Sequence, residues 1–88
     1  MFGLFKKKKN LIKIKSNTKI LYRKNYKEVL INCELTYPSK NKYGIVVYVS
    51  ELLEWIDSKE LISNKDFLEM KQEIYHYFRR EGYSISIN

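Results

Sequence analysis

Little in this sequence of 88 residues can react, ligate a metal or bend sharply. There is one cysteine, Cys33, so no disulfide can form within the chain. The one histidine, His76, lies far along the sequence and offers that thiol no local base. In its apolar, alternating surroundings Cys33 reads as a small buried hydrophobe. Three glycines leave no room for a glycine-rich phosphate loop, and no metal-ligand spacing occurs. The expectation is a protein without catalysis, cofactor or metal.

Long apolar runs are missing too. None approaches the roughly 20 residues that span a bilayer. The opening MFGLFKKKKN places its lysines after a short apolar tip, the reverse of a secretory signal, so a cytoplasmic chain is expected. Residues 1–9 lack strand alternation and read as a flexible basic tail, with one domain over 10–88. Phe2, Leu4 and Phe5 ahead of Lys6–Lys9 allow a weak membrane adaptor as an alternative, but no other membrane contact.

What is present is hydrophobic periodicity. LIKIK (11–15) and KILYRK (19–24) alternate, with a polar turn between them. KEVLINCELTY (27–37) places Val29, Ile31, Cys33 and Leu35 on one face. PSKNK (38–42) is a loop by its turn residues, and YGIVVYV (43–49) reads as a central strand covered on both faces. Ser50 can cap a short helix over 51–56. A stronger helix starts after Ser63, with Asp66 completing an approximate capping box. Phe67, Met70, Ile74 and Phe78 recur on its apolar stripe, and Gly82 suits its end. YSISIN (83–88) closes the chain as a strand. The fold class is α+β, in the order β-β-β-β-α-α-β. An antiparallel sheet of about five strands packs on one main helix as a two-layer sandwich. Cys33, Val29, Ile31, Val47, Ile74 and Phe78 belong to its core.

Charge divides the chain. Residues 1–42 carry twelve basic and two acidic side chains, a net +10; residues 43–88 carry five and eight, a net −3, giving +7 overall. Glu51, Glu54, Asp57 and Glu60 recur every three residues. On a continuous helix they form one acidic strip around Trp55, either a solvated face or a docking strip for a cationic partner. Trp55 reads as core edge or as an interface anchor. The expected partner-binding set is therefore Glu51, Glu54, Trp55, Asp57 and Glu60. Lys13, Lys15, Arg23 and Lys24, with tyrosines nearby, support the alternative of a nucleic-acid-binding module.

The last half of the chain runs strand, Ser-x-x-x-x-Trp, LIS into an amphipathic helix, then Gly-Tyr and a closing Ile-x-Ile strand. This resembles a family of small bacterial immunity proteins, number seventy-four in the usual naming, with Trp55, Gly82, Ile85 and Ile87 filling the characteristic places. The resemblance implies a non-catalytic protein that protects its cell by occluding a cognate toxin, which is then the expected partner.

Lysines without a base-reading motif neutralise phosphates and read nothing. Titration with random and defined oligonucleotides at physiological salt should therefore show weak binding that does not depend on sequence. Submicromolar, sequence-dependent binding contradicts this expectation.

Overall fold

A computed structural model describes residues 10–39, 42–50 and 53–88. The proposed tail over 1–9 falls outside them, as does Glu51. The elements are β1 (Leu11–Ser16), β2 (Lys19–Lys24), β3 (Lys27–Ser39), β4 (Lys42–Tyr48), α1 (Asn64–Arg80) and β5 (Ser84–Ile87). They form one five-stranded sheet in the order β1-β2-β3-β4-β5 with the helix on one side, an α+β architecture.

The first four strands are antiparallel neighbours, as short connections dictate. The pairing aligns Ile20 with Ile31, Tyr22 with Val29 and Cys33 with Val47. Because side chains alternate across a strand, this register collects those residues on one face. There they join Met70, Ile74 and Phe78 of α1 in a single core. All six expected core residues are buried.

Four expectations need correction. The sheet is mixed: β5 pairs parallel to β4, with Ile45 beside Ile85 and Val47 beside Ile87. The reason is α1, a crossover that carries the chain back so that the next strand runs in the same direction as β4. Next, β4 is not covered on both faces. Ile45 and Val47 are buried under the helix side, whereas Tyr48 remains exposed on the other. The loop over 38–42 is also shorter than expected, because β3 runs to Ser39, which pairs with Lys42. Pro38 has no N–H to donate, and the register is irregular between Thr36 and Ser39. The fourth correction is the short helix, which residues 53–56 do not form.

Local chemistry fixes the ends of α1. The Asp66 N–H donates to Ser63 Oγ at 3.2 Å, so Ser63 is the N-cap. At the other end Tyr83 N–H donates to Phe78 O at 2.8 Å and Gly82 N–H to Arg79 O at 3.1 Å. This is a Schellman cap, and its usual apolar contact is the Phe78–Tyr83 ring pair at 5.1 Å. Gly82 has φ +89°, the left-handed conformation that the cap needs and that residues with a Cβ resist.

Lys24, at the end of β2, points to the helix side. Its Nζ meets Asp66 Oδ1 at 2.6 Å and also pairs with Glu69. The Lys24 ammonium holds the Asp66 carboxyl below its usual range, while Asp66 and then Glu69 hold Lys24 above its own. A carboxylate with a lowered folded pKa stabilises the fold above its unfolded pKa and stops doing so as pH falls through the folded value. Asp66→Asn should therefore lower stability by about 1 kcal/mol at neutral pH. It should also flatten the loss of stability below about pH 4. Urea melts of both proteins across that range check this.

Candidate partner-binding surface

Among the described residues there is one helix, and it covers one face of the sheet. The other face carries Leu21, Leu30, Val46 and Tyr48, placed there by the same alternation that buries their neighbours. Leu21 is covered, at 8% exposure, yet does not belong to the core under the helix. Leu30 and Tyr48 stand 43% and 42% exposed. In register, Lys13 lies opposite Leu21, which lies opposite Leu30; Lys19 lies opposite Asn32, which lies opposite Tyr48. The Lys19 ammonium donates to Asn32 Oδ1. Tyr48 O–H donates to Glu34 Oε1 at 3.0 Å, and Glu34 holds the hydroxyl above its usual pKa.

Period-two alternation in the first three strands points to one apolar side each, and the apolar run of β4 to cover on both, so neither pattern marks this face as open. The available signal was Leu21 and Leu30, apolar residues on the polar side of two consecutive strands.

The four cations named for nucleic acid separate. Lys13 is exposed on the uncovered face, and Lys15 sits at a bulge between Ile14 and Ser16. Arg23 shares that face but is paired, its Nε donating to Glu28 Oε2 at 2.7 Å. Lys24 is on the opposite side, committed to Asp66 and Glu69. The structure thus brings Lys13 and Lys15 together with Lys19, which had not been singled out.

The acidic set also separates. Residues 53–62 form a tight loop closed by a bridge between Glu54 and Leu61. Trp55 N–H donates to Glu60 O at 2.9 Å and Lys59 N–H to Trp55 O at 3.0 Å. Lys59 takes φ +62° at the bend. Ile56 N–H reaches Glu28 O at 2.7 Å, tying the loop to the start of β3. Glu54, Asp57 and Glu60 are exposed, but Trp55 is only 3% exposed and packs in the core with Ile62. A segment this short has too few helical hydrogen bonds to outweigh nucleation, so burial of Trp55 decides its path. The Lys27 ammonium lies 5.7 Å from the Trp55 ring centre. The indole therefore offers no open surface to a partner.

Shallow depressions lie elsewhere on the described surface. One, of about 560 Å³, runs between β1 and α1, with Asn10, Ile12, Glu73, His76, Tyr77 and Arg80 on its walls. On its wall Tyr22 O–H donates to Glu73 Oε1 at 2.9 Å, and Asn10 Nδ2 to the same oxygen at 2.9 Å. Burial first, and then the Glu73 carboxylate, push the Tyr22 hydroxyl far above its usual range, so it serves as a neutral donor. Another, of about 300 Å³, lies beside Lys42, Arg79 and Tyr83. Among the described residues no His, Cys, Asp and Glu cluster could hold a metal ion, and no helix is long and apolar enough to cross a membrane.

Comparison with protein-family models, curated proteins and solved structures finds no match.

Because Trp55 is core, Trp55→Ala should cost about 3–5 kcal/mol. Glu54→Lys or Asp57→Lys, on the exposed part of the same loop, should stay within about 0.5 kcal/mol of wild type. Equilibrium urea denaturation separates the two outcomes.

Proposed function

We propose that the chain is a non-catalytic protein-binding module, an immunity protein that neutralises a cognate toxin by covering it. The observation that supports this reading most is the uncovered sheet face. It is broad and carries Leu30 and Tyr48 in the open, with Lys13 and Lys19 at its margin. Exposed apolar groups rimmed by charge suit a protein interface, where the apolar area gives affinity and the charge sets approach and register. A sheet face without a deep cleft suits occlusion better than turnover. The reading moves the interface from the buried Trp55 to this face and leaves Glu54, Asp57 and Glu60 as exposed charges on a separate loop. The resemblance to the immunity proteins supplies the toxin as partner.

A second reading, nucleic-acid binding, draws on the grouping of Lys13, Lys15 and Lys19. It is the weaker because Arg23 and Lys24 are already paired within the fold.

The test is co-expression with the product of the neighbouring open reading frame. The wild-type chain should restore growth. A folded variant carrying Leu30→Asp and Tyr48→Asp should lose protection, with binding weakened by about 2 kcal/mol or more. If that folded variant protects as well as wild type, the sheet face is not the interface. If the wild-type chain neither binds nor protects, the toxin reading falls.

A further inference from the structure

Strand β1 is an edge of the sheet. It pairs with β2 on one side, and among the described residues no strand lies on the other. Unpaired backbone N–H and C=O groups along such an edge are a template for another strand. Antiparallel pairing with a second copy would bring the lysines of two β1 strands together, and like charges facing each other across a ladder destabilise it. The chain's net charge of +7 adds to that repulsion. An edge of this kind excludes itself and favours a strand of opposite charge.

The side chains around the edge define that strand further. On the uncovered side of the sheet stands Lys13, with Lys19 across from Ser16 and Lys15 exposed at the bulge between them. On the helix side lies the groove of about 560 Å³, where Ile12 and Tyr77 supply apolar wall and Arg80 a further cation. Glu73, which lines the groove, accepts from both Asn10 and Tyr22, neutral donors that fix its carboxylate, and its remaining charge disfavours a second carboxylate there. A sixth strand laid along β1 would turn alternate side chains into this groove and the others toward the lysines. Apolar residues fit the first set and carboxylates the second.

We propose that the β1 edge and the groove beside α1 take up an extended, acidic segment of a partner protein by strand addition, with its carboxylates on Lys13, Lys15 and Lys19 and its apolar side chains in the groove. This rests on the reading of the chain as a protein-binding module and names the chemistry of the partner. It places main-chain hydrogen bonds in the role of affinity and the alternating charge in the role of selection. The edge is separate from Leu30 and Tyr48, so the two surfaces can be tested apart.

The probe is a short synthetic peptide alternating Val and Glu, added to the full chain. Saturable binding is expected, weakening as salt is raised. Amide hydrogen exchange should slow along residues 11–16, and NMR shifts should centre on β1, His76 and Arg80. Lys13→Glu, an exposed change, should weaken the peptide about tenfold; Lys59→Glu, the same charge change on the distant loop, should not. A peptide of the same sequence with alternate backbone nitrogens methylated keeps its charge but cannot complete the ladder, and it should fail to bind. Equal binding by the methylated peptide overturns strand addition. Shifts centred on Leu30 and Tyr48, or no binding by the Val-Glu peptide, overturn the assignment of this edge while leaving the protection assay to judge the sheet face. Self-association of the chain through β1, or equal protection of residues 11–16 by an oligonucleotide, overturns the choice of occupant.

Discussion

One helix has to cover a five-stranded sheet, and most of the structure follows from that. The stripe of Met70, Ile74 and Phe78 is buried completely, against Ile20, Tyr22, Val29, Ile31, Ile45 and Val47. Burying side chains of this kind contributes roughly 1.5–3 kcal/mol each before the entropy of ordering is subtracted. With α1 committed to one side, no helix among the described residues covers the other. Leu21, Leu30, Val46 and Tyr48 remain on the other face. The same helix reverses the chain, which makes β5 parallel to β4 and places β1 and β5 at the two edges of the sheet among the described residues.

Alternation then sorts the positive charge. Neighbouring residues of a strand point to opposite faces, so Arg23 and Lys24 have unrelated fates although adjacent in sequence. Arg23 meets Glu28 on the uncovered face. Lys24 turns under the sheet and meets the acids near the start of α1, where negative charge also suits the helix dipole. These pairings engage two cations of the basic half with three acids, Glu28 of the same half and Asp66 and Glu69 of the acidic half. Lys13, Lys15 and Lys19, near one another at the start of the sheet, are left without a carboxylate partner among the salt bridges of the described residues. The charge division that is so plain along the sequence is thus partly cancelled across the fold.

The loop over 53–62 closes the core where α1 cannot reach. Leu53, Trp55 and Ile62 turn inward while Glu54, Asp57 and Glu60 turn out. The loop is held by the Glu54–Leu61 bridge and by the hydrogen bond from Ile56 to Glu28. The largest side chain of the chain is therefore structural support, and its charged neighbours are left as isolated exposed groups on a loop.

The sequence by itself determined the strands, the long helix with its Ser63 and Gly82 caps, and the core residues, because these depend on periodicity and on side chains acting within a few positions. The period-two pattern of Val29, Ile31 and Cys33 needs no distant information, nor does the three- and four-residue spacing of Met70, Ile74 and Phe78. Tertiary structure alone decided the parallel return of β5, the exposed side of β4, the path of residues 53–56 and the partners of Arg23 and Lys24. Three of these rest on a contact between residues far apart in the chain: Val47 with Ile87, Ile56 with Glu28, Lys24 with Asp66. Local propensity for six residues around Trp55 is worth little beside the burial of one indole, so the local reading of that segment lost to packing. The uncovered face was unreadable for the same reason: whether an apolar residue such as Leu30 is core or surface depends on whether a second layer arrives, and no strand records that in its own sequence.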